Sequence, residues 1–282
     1  MNVETAVVPI AGLGTRLLPL THLVAKEFLP VGNMPAIQLI VEELIASGIR
    51  RFIFVTSSQK PPVEPLFASA EFSQKYADRN LEFCSVIQTE QLGLGDAIRC
   101  ATNLIDGPFL VALGDCLLGP TDGSPFTRAI VENFENQQAE MVLGFQKVPT
   151  ELTGRYGIAK VGEDLEAGSS FIVKDLVEKP DPKNAPSNFA ICGRYCFSPS
   201  ILTELDQIQP GKDGEIQLTD AISNLIGNGR KSIGVLLPEH LRRFDIGNIQ
   251  SYVQTFIEFA ASDPDLAATV KRAISRSGAS IK

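Results

Sequence analysis

The chain has 282 residues, of which 44% are hydrophobic and 21% are charged. This composition is typical of a globular protein, and the length allows one large α/β domain or two small ones. The formal net charge of −8 at pH 7 argues against a nucleic-acid partner, because such a partner requires a basic face. No apolar run approaches the roughly 18 residues of a membrane-spanning helix, so we expect no membrane segment.

The five cysteines are an odd number and lack the spacing of a metal site. Cys192 and Cys196 fall in an alternating strand pattern, which places both thiols on one face of that strand. No signal-sequence pattern precedes the first strand. We therefore predict reduced, structural cysteines and a cytoplasmic protein.

The first half of the chain alternates strand and helix patterns. The predicted strands are residues 6–10, 51–56, 81–87 and 109–113, and the predicted helices are residues 35–47, 63–76 and 96–104. Asp96 is placed as the acidic N-cap of the last helix. This rhythm predicts a mostly parallel sheet with helices on both faces. Ligands of such sheets bind beyond the carboxyl ends of the strands.

The second half is less regular and shows neither a linker nor an internal repeat. Its predicted strands are residues 141–148, 158–161, 170–177, 189–197 and 232–237, and its predicted helices are residues 216–226 and 249–261. A short proline-rich stretch at residues 180–187 is typical of a surface loop rather than a domain boundary. We therefore expect one domain over residues 1–282.

A glycine-rich turn follows the first strand. Gly12 and Gly14 allow the backbone to approach a phosphate closely, and successive N–H groups can hold its oxygens. Arg16 and Lys26 add fixed positive charge nearby. Leu17 occupies the position of the third glycine in a dinucleotide-binding fingerprint, and the P-loop pattern is absent. On spacing alone, the turn fits a phosphate-binding loop and a purely structural turn equally well.

The segments GLGTRLLP at residues 12–19 and KEFLP at residues 26–30 resemble the signature of sugar-1-phosphate nucleotidyltransferases. Within that family, the bacterial glucose-1-phosphate uridylyltransferases are the most similar. Further motifs follow in the family's order over nearly the whole chain, at Gln88 and residues 93–95, 113–115, 156–157, 177–180, 185–188, 193–195, 215–220 and 245–248. The resemblance implies a Rossmann-like three-layer α/β/α fold with a mixed, mostly parallel central sheet.

The resemblance also implies a reaction in which UTP and glucose 1-phosphate give UDP-glucose and pyrophosphate. The nucleotide-binding half then covers about residues 1–120, the sugar-binding half about 121–250, and C-terminal helices about 249–282. Arg16 is expected to grip the leaving pyrophosphate, Lys26 to neutralise the α- and β-phosphates, and Lys179 to contact the sugar phosphate. A phosphate nucleophile is already ionised at neutral pH, so no histidine base is required.

The resemblance assigns the remaining site residues to three sets. The expected nucleotide-binding residues are Ala11, Gly12, Gly14, Thr15, Gln88 and Gly93, and the expected sugar-binding residues are Gly157, Glu178, Asn188 and Gly193. Gln88 offers a donor and an acceptor that match one edge of uracil. Asp115 follows a buried strand, and Asp245 is the candidate second carboxylate for Mg²⁺, although Asp-x-Gly is also an ordinary turn.

Several positions depart from the family pattern. Residues 33–35 read Asn-Met-Pro where the family usually has Asp-Lys-Pro, and Asp96 replaces the family's histidine after Gly-Leu-Gly. The segment 113–115 reads Leu-Gly-Asp instead of Leu-Pro-Asp. These changes leave the expected catalytic set intact but keep a sister enzyme for dTTP or another sugar open. The sequence also leaves open a silent regulatory paralogue and a Rossmann-type oxidoreductase. We expect small-molecule substrates and a homo-oligomer.

Overall fold

A computed structural model describes residues 2–161, 170–211 and 214–276. Within these ranges, the strands are β1 Thr5–Pro9, β2 Pro30–Val31, β3 Met34–Pro35, β4 Arg51–Thr56, β5 Glu82–Ile87, β6 Phe109–Ala112, β7 Cys116–Gly119, β8 Met141–Lys147, β9 Gly157–Lys160, β10 Ser170–Ile172, β11 Asp175–Glu178, β12 Phe189–Phe197, β13 Ser232–Leu236 and β14 Arg242–Asp245. The helices are α1 Ala36–Ala46, α2 Glu64–Phe67, α3 Ala70–Lys75, α4 Gly93–Cys100, α5 Ser124–Gln137, α6 Ser200–Leu205, α7 Leu218–Gly227, α8 Ile249–Ser262 and α9 Ala267–Arg276.

The described strands form one large mixed sheet and two small ribbons. The large sheet has the order β10-β13-β8-β12-β6-β1-β4-β5, with β9 joined to β12 and β11 joined to β9. The run β6-β1-β4-β5 is wholly parallel, and β12 joins β6 in the antiparallel sense. β6 lies in the interior of the sheet, between β1 and β12.

Helices cover both faces of this sheet, as predicted. Along β1, Ala6 and Val8 face one hydrophobic core, which also contains residues of α1 and α5. Val7 faces the opposite core, which contains residues of α4, α6 and α7. Successive strand residues therefore point into different layers, and the three-layer arrangement follows from this period of two. Cys192 and Cys196 share the first core, which confirms their placement on one face.

The single helix predicted at residues 63–76 is wrong, because the structure has α2 and α3 there instead. The side chain of Ser69 accepts a hydrogen bond from the Phe72 N–H at 3.3 Å and starts α3. The continuous strand predicted at residues 170–177 is also wrong. β10 pairs with β13, whereas β11 pairs with β9, so the chain changes partners between them.

The prediction of Asp96 as a helix N-cap is wrong as well. α4 begins at Gly93, and a separate 3₁₀ turn follows at Thr102–Leu104. Asp96 lies one turn inside α4, and its carboxylate bonds to the side chains of Gln88 and Arg99 instead of backbone N–H groups. Neither α5 nor the antiparallel ribbon formed by β7 and β14 was predicted from the sequence.

Among the described helices, none has the length together with the hydrophobicity that a membrane span needs. All five cysteines are free thiols, as predicted. The division into nucleotide-binding and sugar-binding halves stays a prediction. Residues 277–282 of the expected C-terminal helices lie outside the described residues.

Candidate active site

The carboxyl ends of β1, β5 and β6 bring the glycine loop, Gln88 and Asp115 to one edge of the sheet. The loop and the segment after β6 approach closely, since the Gly114 N–H donates to the Pro9 carbonyl at 3.2 Å. A Cβ on Gly114 would lie only 2.4 Å from Cγ2 of Ile10. Glycine at position 114 thus permits Asp115 to lie beside the loop, as ligand binding at this edge requires.

The glycine loop itself turns sharply over Lys26. Gly14 has φ of +69°, in the left-handed region where glycine is favoured, and a 3₁₀ turn at Thr15–Leu17 follows it. Ala11 is buried, whereas Gly12, Thr15 and Arg16 are exposed. A Cβ on Gly12 would lie 3.8 Å from Nζ of Lys26, so this ammonium lies directly against the loop backbone.

Lys26 and Asp115 form the central ion pair of the site, with Nζ of Lys26 2.5 Å from Oδ2 of Asp115. Burial alone would lower the pKa of Lys26, but attraction to Asp115 and Glu27 outweighs it and raises that pKa. Burial likewise opposes ionisation of Asp115, but Lys26 nevertheless holds the pKa of this carboxyl below its ordinary value. Both groups are therefore charged at neutral pH.

A second buried pair, Glu27 with Lys60, supports the first. Nζ of Lys60 lies 2.7 Å from Oε2 of Glu27 and donates to the Ile10 carbonyl at 2.5 Å. Burial raises the pKa of Glu27 and lowers the pKa of Lys60. Lys60 thus ties the start of the glycine loop to the residue next to Lys26. No motif pointed to Lys60, because its role depends on contacts across 33 residues of chain.

The β7–β14 ribbon places Asp245 beside Asp115. Asp245 lies opposite Cys116 in the antiparallel register, and the Ile246 N–H donates to the Asp115 carbonyl at 3.1 Å. Oδ1 of Asp245 accepts from the Gly247 N–H at 2.6 Å. A Cβ on Gly247 would lie 3.1 Å from a terminal guanidinium nitrogen of Arg16, so Arg16 reaches the same turn.

These contacts bring four of the expected residues around one point: Arg16, Lys26, Asp115 and Asp245. Within the described ranges, no three histidine, cysteine or acidic side chains are grouped so that they could hold a metal ion alone. Two neighbouring carboxylates nevertheless fit a hard cation such as Mg²⁺, which accepts water and phosphate oxygens as its remaining ligands. The donor set therefore matches a cation that arrives with a phosphate ligand.

A cavity of about 250 Å³ opens beside this point. Four of the expected sugar-side residues line it: Gly157, Glu178, Lys179 and Gly193. Oε2 of Glu178 accepts from the Thr219 hydroxyl at 2.7 Å, and Nζ of Lys179 lies 3.5 Å from Oε1 of Glu178. Asn188 is exposed and does not line this cavity; its carbonyl accepts from the Val148 N–H at 3.0 Å.

The shape of that cavity depends on an irregularity in β12. The register against β8 shifts between Ile191 and Tyr195, and Gly193 within the shift has φ of +81°. A Cβ on Gly193 would lie 2.9 Å from the Cys116 sulfur. Bulges of this kind redirect side chains next to functional sites. Here the bulge lets the cavity wall approach the segment that carries Asp115.

Arg243 joins the cavity to the carboxylates and was not predicted from the sequence. Its guanidinium lines the cavity, lies 3.3 Å from Oδ2 of Asp245 and stands 5.2 Å from the ring centre of Tyr156. Its Nε donates to the Cys116 sulfur at 3.2 Å. A strand prediction at residues 242–245 would have indicated Arg243, because it precedes Asp245 by two residues and both side chains then share one face of the strand.

Gln88 follows β5 and is buried at 4% exposure. Its amide nitrogen donates to the Gly93 carbonyl at 3.2 Å and to Oδ2 of Asp96 at 2.8 Å. Gln88 and Gly93, both expected to bind the nucleotide, are therefore adjacent in space. A larger cavity of about 510 Å³, bounded by α1, β7 and α8, contains none of the expected site residues.

This fold and site define a nucleotidyltransferase. A family model described as "Nucleotidyl transferase" matches residues 5–262, so the chain belongs to that family. It is 38% identical over 281 residues to a UTP–glucose-1-phosphate uridylyltransferase from Bacillus subtilis (strain 168), with 94% of each chain covered. A Staphylococcus epidermidis protein of the same name is 36% identical over 286 residues, with 96% of each chain covered.

Solved structures give the same comparison at the level of the fold. A UTP-bound UGPase from Acinetobacter baumannii superposes with a TM-score of 0.83 at 29% identity, covering 99% of this chain and 100% of the other. A UDP-glucose pyrophosphorylase complexed with UDP-glucose superposes with a TM-score of 0.79 at 30% identity, covering 93% and 100%. The predicted fold class is thereby confirmed.

Proposed function

We propose that this protein transfers a uridylyl group from UTP to glucose 1-phosphate, giving UDP-glucose and pyrophosphate. The observation that carries the proposal is the junction between the Lys26–Asp115 pair and the cavity lined by Glu178 and Lys179. Two anionic substrates that meet at this junction have cations on both sides. The similarity to uridylyltransferases and to structures with bound UTP and UDP-glucose supports these substrates.

The nucleotide lies along the glycine loop in this proposal. Backbone groups from Ala11 to Thr15, including those of Gly12 and Gly14, contact the triphosphate, because such turns present N–H groups to anions. Arg16 contacts the leaving pyrophosphate, and Lys26 neutralises charge on the α- and β-phosphates. The base lies against Gln88 and Gly93, which are adjacent in space.

The sugar phosphate occupies the cavity beside this loop. Glu178 accepts hydrogen bonds from sugar hydroxyls, and Lys179 binds the phosphate. The backbone at Gly157 and Gly193 gives the sugar room, since a Cβ on Gly157 would lie 3.2 Å from Oε2 of Glu178. Asn188 would contact the sugar from the rim. Arg243 provides a further cation between the phosphate and the carboxylates.

Asp115 and Asp245 would hold Mg²⁺ together with substrate phosphate oxygens. When bound, this ion neutralises phosphate charge and helps to orient the reacting groups. Lys26 and Arg243 are already paired with these two carboxylates, so the chain's own cations hold both side chains in place. The metal identity belongs to the proposal.

The chemistry is an in-line displacement that needs no protein nucleophile. An oxygen of glucose 1-phosphate attacks the α-phosphorus of UTP, and the bond from that phosphorus to the bridging oxygen of pyrophosphate breaks. No proton leaves the nucleophile, because a phosphate monoester is ionised at neutral pH. The side chains of Arg16, Lys26 and Lys179 stabilise the developing charge and hold the reactants in line.

A pyrophosphate-release assay across nucleoside triphosphates and sugar 1-phosphates tests the proposal. UTP with glucose 1-phosphate should give the highest kcat/KM. Faster turnover with dTTP, or with another sugar 1-phosphate, would reject this substrate pair while leaving the nucleotidyltransferase class intact. Release from UTP without any sugar phosphate would contradict the transfer reaction itself.

We further propose that the protein works in the cytoplasm as a homo-oligomer. The free thiols at all five cysteines support a reducing compartment such as the cytoplasm. Ile249, Val253 and Ile257 lie at four-residue spacing on α8 and are 40 to 45% exposed, an apolar face that would suit contact with another copy. Light scattering coupled to size-exclusion chromatography tests the assembly; a monomer at working concentration would contradict it.

A further inference from the structure

Asp96 stands at the centre of a buried polar network beside the proposed base site. Asp96 is buried, with only 6% of its surface exposed. Oδ2 accepts from the Gln88 amide at 2.8 Å, and Oδ1 accepts from a terminal nitrogen of Arg99 at 2.7 Å. Asp96 is also one of the positions at which this chain departs from the family pattern.

The network fixes the orientation of the Gln88 amide. Its NH₂ group faces two acceptors, the Gly93 carbonyl and Oδ2 of Asp96. Rotating the amide by half a turn would set Oε1 against two oxygens and leave both without a hydrogen. The observed orientation is therefore the one that satisfies all three residues.

One polar atom of the Gln88 side chain stays available. Both amide hydrogens are engaged within the protein, and no group in the described part of the chain donates to Oε1. Oε1 has no such donor and is not fully enclosed, so it can face solvent or a ligand. Towards a bound base, Gln88 thus presents an acceptor only, instead of the donor and acceptor expected from the sequence.

We propose that Asp96 is a positioning residue that selects bases carrying an N3–H group. Uracil and thymine each donate through N3, whereas cytosine has an acceptor lone pair there. Oε1 of Gln88 pairs with the former and repels the latter. The inference rests on the proposed function, because it takes Gln88 as the base contact, and it deepens that function by naming what sets the base preference.

An aspartate fits position 96 of this chain because both of its side-chain partners, Gln88 and Arg99, are donors. Arg99 has no acceptor, so an asparagine at position 96 would turn its carbonyl to Arg99 and its NH₂ to Gln88. The Gln88 amide would then be drawn to rotate and present its own NH₂ to the base. Replacing one carboxylate oxygen by an NH₂ group at position 96 should therefore make Gln88 present a donor, instead of an acceptor, to N3 of the base.

The test compares kcat/KM for UTP, dTTP and CTP with glucose 1-phosphate in wild type and Asp96→Asn, with thermal unfolding as the check on folding. The UTP/CTP ratio should fall by about tenfold or more, the scale of one mismatched buried polar group. The UTP/dTTP ratio should stay constant, because both bases share the N3–H group. Asp78→Asn, an exposed residue after α3, is the matched control and should change neither ratio.

The double variant Asp96→Asn with Arg99→Met sharpens the result. Without Arg99, the asparagine carbonyl is free to face Gln88, so the UTP/CTP ratio should recover towards wild type. If Asp96→Asn does not fold, Asp96→Ala removes one acceptor and should lower the ratio by a smaller factor, because the Gly93 carbonyl still holds the amide.

An equal fall for all three nucleotides would show that Asp96 is merely structural and would overturn the inference. So would an unchanged UTP/CTP ratio in Asp96→Asn. Failure of the proposed function looks different, since wild type would then show no preference for UTP in the first place.

Discussion

At the scale of single residues, the site depends on how its charges are paired before substrate arrives. Lys26 lies between Asp115 and Glu27 with its side chain 12% exposed, and Lys60 compensates Glu27 from the other side. Removing one member of such a series of ion pairs leaves a buried charge without a partner, which destabilises the protein by more than the pair itself contributes. The glycine loop thus lies over a cation whose position is set by three neighbours rather than by its own rotamer.

Lys179 differs from Lys26 because little holds it in place. Its side chain is 54% exposed and its nearest carboxylate is 3.5 Å away. Its ammonium is therefore available for an incoming phosphate. We predict that Lys179→Ala lowers kcat/KM by about tenfold or more, equivalent to about 1.4 kcal/mol. Steady-state kinetics with varied glucose 1-phosphate measures this loss.

The control for that variant is Lys183→Ala, an exposed lysine of the following 3₁₀ turn. It should keep wild-type kinetics, because general surface charge contributes little at this distance. Equal losses in the two variants would mean that net charge, rather than a phosphate contact at residue 179, explains the effect.

At the scale of elements, a buried ion pair joins α1 to β12. Arg194 is fully buried and donates to both carboxylate oxygens of Glu43, at 2.8 and 2.7 Å. Thr127 of α5 donates to the same carboxylate at 2.6 Å. Because Arg194 follows Gly193 in the bulge, this contact fixes the strand that forms the cavity wall.

We predict that Glu43→Ala lowers the free energy of unfolding by about 3–5 kcal/mol, since it leaves the Arg194 guanidinium buried and unpaired. Urea denaturation followed by circular dichroism measures the change. Glu42→Ala is the matched control on the same helix; its partner Lys75 is 52% exposed, so the loss should stay within about 1 kcal/mol. If the two losses are similar, the buried pair does not anchor β12.

The contact between Glu140 and the start of α6 makes the stability of the protein depend on pH. It precedes β8 and accepts hydrogen bonds from the hydroxyls of Ser198 and Ser200 at the start of α6. Burial opposes ionisation, but these hydrogen bonds outweigh it and hold the pKa of Glu140 below its usual 4.5. Its stabilising contribution is therefore complete above about pH 4.5 and is lost as pH falls through the lower folded pKa.

We expect Glu140→Gln to melt below wild type by an amount that is constant from about pH 6 to pH 8 and shrinks below about pH 4. Thermal unfolding across this range measures the difference. Glu132→Gln, an exposed position on α5, is the control and should follow wild type throughout. A difference that grows towards acid would contradict the direction assigned to Glu140.

At the scale of the whole molecule, the sequence predicted most elements because their patterns are local. β4 and β12 were predicted with their observed bounds. The β7–β14 ribbon was missed, because it pairs segments more than 100 residues apart and each strand has only four residues. Asp115 and Asp245 could be named from motifs, but their proximity could not be derived. Lys60 was not predicted for the same reason, and Arg194 was part of a motif at residues 193–195 whose distant partner Glu43 could not be derived.

Binding at the sheet edge should also stabilise the whole fold, because the proposed nucleotide and metal site draws on residues from 11 to 245. A ligand that binds only the folded state at about 100 times its Kd adds about 2.7 kcal/mol, which is several degrees in Tm for a chain of this size. We therefore predict that UTP with Mg²⁺ raises Tm, whereas NAD leaves it unchanged. Differential scanning fluorimetry measures both.

The matched variant for this experiment is Lys26→Met, which keeps the length of the side chain but removes its charge. Its melting temperature should respond to UTP far less than wild type does, because the phosphates lose the cation beside the loop. Lys183→Met, on the exposed turn, should retain the full response. A shift with NAD equal to the shift with UTP would contradict the prediction, because the site would then not discriminate a triphosphate from a dinucleotide.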